Sequence, residues 1–169
     1  MLENLKKFYK NKRIFITGNT GFKGSWLTMI LNSFNSNLCG YSLNENFEPS
    51  MYKLLNLKNK IKLIKGDVRN FQHLNKSINN FKPDIIFHLA AQSLVQKSYI
   101  DPLFTVSTNT GGSANILESC RLSKSLKSLV YITSDKCYEN VEWIWGYREN
   151  DKLGGYDAYS SSKAAAENI

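Results

Sequence analysis

The chain has 169 residues, 42% of them hydrophobic, with 22 basic and 14 acidic side chains and a formal net charge of +8. This suits one soluble globular domain with a substantial core; the start MLENLKKFYKNK lacks the apolar segment of a secretory signal, and no stretch approaches the ~20 apolar residues of a membrane span, so a cytoplasmic protein is expected. Five basic residues (Lys6, Lys7, Lys10, Lys12, Arg13) crowd the first thirteen positions and the rest are dispersed, which reads as a solvated lysine surface with no nucleic-acid partner, compatible with a phosphate-bearing small substrate.

Arg13 to Leu27 reads RIFITGNTGFKGSWL: an apolar run, glycines at Gly18, Gly21 and Gly24, then Trp26, Leu27, Met29, Ile30 and Leu31 at roughly helical spacing. Strand, glycine turn and amphipathic helix are predicted. Gly18 would permit the tight turn, Gly21 would let backbone approach a pyrophosphate, and Gly24 would let helix and strand pack closely, with phosphate at the helix N-terminus.

Asn37 to Ser42 is the second predicted strand, and Glu45 behind it is a candidate for the ribose hydroxyls. No Arg or Lys stands in that loop before Lys53 to pair a 2′-phosphate, so NAD is expected over NADP. Ile61 to Lys65 is the third strand, closed by Gly66-Asp67-Val68. Asp67 could accept from an adenine amino group while Val68 packs on the ring, or Asp67 could cap the helix around Phe71 to Ile78, or both.

Ile85 to Ala91 is a continuous apolar run, as in a parallel strand buried on both faces, with Ala90 and Ala91 small enough for a cofactor to come close. His88 within it reads as a core histidine. Asp101-Pro102 opens a long helical pattern interrupted at Thr108-Asn109 and Gly111-Gly112, where close packing is expected. Leu129 to Ser134 is the fifth strand, with Ser134, Asp135 and Lys136 at its carboxyl end, where such sheets place chemistry. Glu142 to Asp157 is a functional loop. Tyr159 to the last residue is helical, with Tyr159 and Lys163 one turn apart on one face. Cys39, Cys120 and Cys137 lie far apart without ligand spacing, so no disulfide framework and no metal site is expected. The alternation of strands and helices predicts an α/β, Rossmann-like, doubly wound parallel sheet.

TGNTGFKG, Asp67-Val68, HLAA and YSSSK together resemble the extended short-chain dehydrogenase/reductase family. Within it, TGNTGFKGSWL, HLAAQSLVQKSY, TSDKCYEN and WGYRENDKLGGYDAYSSSK resemble the nucleotide-sugar 4,6-dehydratases that take CDP-glucose. The resemblance runs from about Arg13 to the last residue. It implies an NAD site formed by Gly18, Thr20, Gly21, Phe22, Gly24, Asp67, Val68, Leu89, Ala90 and Ala91, with Tyr159 and Lys163 shared with a catalytic set that adds Ser134, Asp135 and Lys136. Tyr159, made more basic by the Lys163 charge, would take a sugar hydroxyl proton while Ser134 binds the same oxygen. Asp135 would protonate the departing C6 oxygen. Lys136 stands where the dTDP-glucose branch has a glutamate base, which leaves the base for C5 open. The implied product is CDP-4-dehydro-6-deoxyglucose, a precursor of dideoxysugars in surface polysaccharide.

The resemblance also implies a possible homodimer and a protein about twice as long. On that reading residues 1–169 form the NAD-binding domain of a truncated chain, its sheet incomplete and its C-terminal substrate-binding part absent. The alternatives are another enzyme of the same family, an epimerase or a GDP-mannose type dehydratase, and a non-catalytic NAD-binding fragment.

Overall fold

A computed structural model describes residues 1–43 and 48–169. Glu45, the ribose candidate, lies outside them. Five parallel strands, β1 (Arg13–Thr17), β2 (Asn37–Ser42), β3 (Lys62–Lys65), β4 (Ile85–His88) and β5 (Ser128–Tyr131), form one sheet in the order β3-β2-β1-β4-β5. Chain order reverses between β1 and β4, and in open parallel sheets the crevice for a ligand opens beyond the strand ends at that switch.

Strand alternation explains why both faces are covered. Ile14 and Ile16 of β1 point one way and join Leu31, Phe34, Leu38, Ile85 and Phe87 under helix α2 (Phe22–Ser33). Phe15 points the other way and joins Tyr41, Val68, Leu74, Ile78, Ile86 and Ile116 under helices α4 (Phe71–Phe81) and α7 (Gly112–Leu122). A short helix α3 (Met51–Leu54) precedes β3, and an N-terminal helix α1 (Leu2–Tyr9), not expected from the sequence, packs Tyr9 against Phe34 and Phe87.

Several expectations are corrected. In α2 the buried face is Gly24, Ser25, Thr28 and Leu31, while Trp26 and Ile30 are exposed. Only small residues fit there: a Cβ on Gly24 would come 2.8 Å from Asn19 Cα. β4 stops at His88: the last ladder bond runs from the Leu89 amide to the Thr17 carbonyl (3.1 Å), and the next amide, that of Ala90, turns onto the Thr17 hydroxyl instead (3.2 Å). β5 likewise stops at Tyr131. Asp67 does not cap α4; Asn70 does, accepting from the His73 amide at 3.0 Å.

The long helical pattern after Asp101 is helix throughout: α6 (Pro102–Val106), capped by Asp101, passes through a π-turn at Ser107–Gly111 into α7. Of its two glycines only Gly112 is tightly packed, its hydrogen facing Val68 where a Cβ would meet Cγ2 at 2.8 Å; Gly111 borders open space. Before α6 lies a short α5 (Val95–Ile100), and the last helix is α8 (Ala158–Glu167), which Asn168 terminates with its amide on the Ala164 carbonyl (3.1 Å), ending the helical pattern before Ile169. Among the described residues no helix is long and apolar enough to cross a membrane, and no group of three or more metal-ligating side chains occurs.

Candidate active site

A cavity of about 570 Å³ opens beyond the carboxyl ends of β1 and β4. Its floor is the glycine turn, with Gly18, Thr20, Gly21, Phe22 and Gly24 all lining it. Gly18 has φ +72°, a conformation costly for other residues, and its α-carbon crosses the chain beyond β4 so closely that a Cβ would lie 2.7 Å from the Ala90 nitrogen. That contact brings Leu89, Ala90 and Ala91 to the cavity wall. α2 starts at Gly21 with no side-chain cap, so its first N–H groups face the cavity end of the helix unpaired by a side chain.

Asp67 and Val68 form another wall. The Arg69 guanidinium grips both Asp67 oxygens (Nε 2.9 and Nη2 2.6 Å to Oδ2, Nε 3.1 Å to Oδ1) and holds that carboxyl below the usual carboxylate range against the opposing effect of burial. Arg69 also lies over the Phe104 ring, 4.6 Å from its centroid, with the Lys97 ammonium at the same distance. Beneath them the buried Tyr41 hydroxyl donates to the Asp67 carbonyl (3.0 Å), which fixes the loop after β3 to the end of β2.

The opposite wall is α8. Asp157 caps it, accepting from the Ser160 amide at 2.9 Å and the Ser160 hydroxyl at 2.7 Å. One turn in, Tyr159 and Lys163 line the cavity at 8% and 6% exposure, and neither side chain makes a hydrogen bond or ion pair among the described residues. Burial lowers the Lys163 pKa from the ordinary lysine value; the charges of Glu167 and Cys137 oppose that shift, and Lys23 adds to it. Between the two, the Ser162 hydroxyl donates to the Tyr159 carbonyl (2.6 Å) and accepts from Asn109 Nδ2 (3.0 Å). Asn109, turned inward by the π-turn, also pairs with both backbone groups of Gln92 (2.8 and 3.0 Å). One buried amide therefore ties the chain beyond β4 to the helix of Tyr159 and Lys163.

Ser134, Asp135 and Lys136 do not line the cavity, although Ile132 and Thr133 just before them do. They form a 3₁₀ turn (Asp135–Cys137) that packs against α8. The Ser134 hydroxyl accepts from the Lys136 amide (3.2 Å) and donates to Asp135 Oδ1 (3.1 Å), so it is engaged within its own turn. Asp135 and Lys136 are exposed. After this turn, the aromatic loop carries a bridge between Tyr138 and Leu153 and a stack of Tyr138 on Tyr147 (5.2 Å).

The sequence reading missed several cavity residues, Thr108 among them. Thr108 is 7% exposed, with a buried hydroxyl lacking any partner among the described residues. Its signal was the Thr108-Asn109 break in the helical pattern, which is the π-turn, a feature frequent at functional sites. Lys23 and Tyr41 line the cavity too and were likewise not singled out.

Over 96% of its length the chain is 48% identical to CDP-glucose 4,6-dehydratase of Salmonella typhimurium, of which it covers 45%. The chain spans about half the length of the relatives it matches. An epimerase structure from Methanothermobacter thermautotrophicus superimposes with a TM-score of 0.85 at 25% identity, covering 99% of this chain and 49% of the other. A UDP-glucose 4-epimerase of Thermus thermophilus, solved in complex with NAD, gives 0.78 at 26% identity over 92% of this chain and 49% of the other. Residues 15–169 match the family model described as GDP-mannose 4,6 dehydratase, and the chain belongs to that family.

Proposed function

We propose that this chain carries the cofactor-binding and acid/base part of an NAD-dependent nucleotide-sugar 4,6-dehydratase that converts CDP-glucose to CDP-4-dehydro-6-deoxyglucose and water. The observation that carries the reading is the 48% identity to CDP-glucose 4,6-dehydratase along nearly the whole chain. The cavity fits a dinucleotide: a glycine cradle that a Cβ would fill at Gly18, an uncapped helix start for phosphate, and an orphaned buried hydroxyl at Thr108. The NAD in the Thermus thermophilus structure supports the choice of dinucleotide.

When bound, NAD supplies a hydride acceptor for C4 of the sugar and later a hydride donor for C6. Tyr159 takes the O4 proton, helped by the neighbouring Lys163 charge, and its carbonyl bond to Ser162 keeps the ring side of the helix in register with Asn109. Ser134 hydrogen-bonds the same oxygen once its hydroxyl turns from Asp135. The resulting C4 keto group acidifies C5, so water leaves across C5 and C6 with Asp135 protonating the C6 hydroxyl and Lys136 beside the C5 proton. Adenine is held by Asp67 and Val68. An epimerase needs no acid to expel water, so Asp135 beside Ser134 favours the dehydratase over that alternative.

Exposed Tyr99, Ile100 and Leu103 on α5 and α6 support a homodimer as the working assembly. Three free cysteines support a reducing, cytoplasmic setting, with the product entering surface polysaccharide synthesis. The test is incubation of the chain with CDP-glucose and NAD, following the alkaline absorbance of a 4-keto-6-deoxy sugar, with dTDP-glucose as control. Product from CDP-glucose alone supports the proposal. Binding of NAD without product would favour a cofactor-binding fragment whose chemistry needs further chain.

A further inference from the structure

The backbone of Asp67 and Val68, on the cavity wall, is pinned from several sides. The Asp67 carbonyl accepts from the Tyr41 hydroxyl and from the Asn70 amide, both at 3.0 Å. The Val68 carbonyl accepts from Asn115 Nδ2 (2.9 Å), and Gly112 packs against the Val68 side chain. The torsions of the Asp67 side chain are left to Arg69, which is the hydrogen-bond partner of that carboxylate among the described residues. Arg69 does not itself line the cavity; its guanidinium lies against Phe104 and reaches the cavity through Asp67.

Three N–H hydrogens meet the carboxylate: the Arg69 backbone amide on Oδ1 (2.9 Å), Nη2 on Oδ2 (2.6 Å), and Nε shared between the two (3.1 and 2.9 Å). An ionised carboxylate has about four lone-pair sites, so one is left for a donor on a ligand. The Arg69 bonds also favour the ionised form, which can only accept. A purine with an amino group at C6 donates to such a site, whereas a purine with a carbonyl at C6 sets oxygen against oxygen.

We propose that Arg69 is a positioning residue for base recognition: it fixes the plane of the Asp67 carboxylate with one acceptor site left for the ligand, so that a dinucleotide carrying a 6-amino purine binds in preference to one carrying a 6-oxo purine. This rests on the dinucleotide reading above. Arginine suits the task because its planar fork sets an orientation, which the point charge of a lysine ammonium does not.

Calorimetric titration of the 169-residue chain with NAD and with nicotinamide hypoxanthine dinucleotide tests this, using Arg69→Leu and Arg69→Lys. The unmodified chain should prefer NAD about tenfold. Arg69→Leu, which keeps an apolar contact with Phe104, should reduce that preference to about twofold while the hypoxanthine dinucleotide binds within about threefold of its original affinity. Arg69→Lys should recover part of the preference, since charge returns without the fork. An unchanged preference in Arg69→Leu would overturn the inference, and so would an equal loss for both dinucleotides, which would mark a structural role. If the unmodified chain binds the two equally, Asp67 does not read the base and the inference fails while the dinucleotide reading stands. If it binds neither, the dinucleotide reading itself fails, and the inference with it.

Discussion

The Thr17 hydroxyl lies 2.7 Å from Nδ1 of His88, its neighbour across the β1–β4 ladder. The same hydroxyl accepts from the Ala90 amide at 3.2 Å, so it joins the end of β1 to both the His88 ring and the chain beyond β4. The imidazole stacks on Tyr131 (5.3 Å between centroids, 7° between planes), whose hydroxyl meets Ser113 at 2.5 Å. A polar chain thus crosses the core directly under the cavity. His88 is a structural histidine that holds Ala90 against Gly18.

Burial, with a smaller contribution from the Lys163 charge, lowers the His88 pKa to about 3. The folded value lies below the unfolded one of about 6.5, so the unfolded chain binds the extra proton, and stability present above pH ~6.5 is lost as pH falls towards ~3. The urea midpoint should drop on acidification below pH ~6.5, and His88→Asn, less stable at neutral pH, should flatten that slope. An identical slope in both proteins would remove His88 as its source.

Gly18→Ala places a Cβ 2.7 Å from backbone at a φ of +72°. The left-handed conformation costs about 1–2 kcal/mol and the clash about 1–3 more, so a fall in melting temperature with loss of NAD binding is expected. Gly111→Ala is the control: it sits in helical backbone facing open space and should be neutral or stabilising by up to about 1 kcal/mol.

Asn109→Leu removes the amide that joins Gln92 to Ser162 and leaves the Gln92 backbone groups buried without partners. A loss of about 1–3 kcal/mol in unfolding free energy is expected. Hydrogen exchange should speed up in α8 more than in β1; uniform acceleration would mean that the amide does not position α8.

If Tyr159 is the general base proposed above, Tyr159→Phe, in a chain that turns over, should reduce kcat by roughly 10²–10⁴ while NAD affinity changes little, since only the hydroxyl is removed and the ring packing is kept. Asp135→Asn should slow loss of C6 oxygen more than C4 oxidation, read from release of labelled water against NADH formation. Asp135 is exposed, so Asp135→Asn should leave the melting temperature unchanged.

The sequence by itself determined the strands and their order along the chain, because an apolar run such as Ile14-Phe15-Ile16 is a local pattern that needs burial on two faces. It also placed the glycine turn, the helical face shared by Tyr159 and Lys163, and the family resemblance. Beyond its reach were the features set by partners far along the chain. β4 ends at His88, where the hydroxyl of Thr17, 71 residues away from His88, takes the Ala90 amide out of the ladder. α2 buries Ser25 and Thr28 instead of Trp26 because Gly18 and Gly24 bring the helix too close to the turn for large side chains. Asp67 yields the cap to Asn70 because Arg69 holds both of its oxygens, and Ser134 spends its hydroxyl on its own turn. Residue type and spacing settle which elements form; only tertiary packing decides which face is buried, where a strand stops and which hydrogen-bond partner a polar side chain takes.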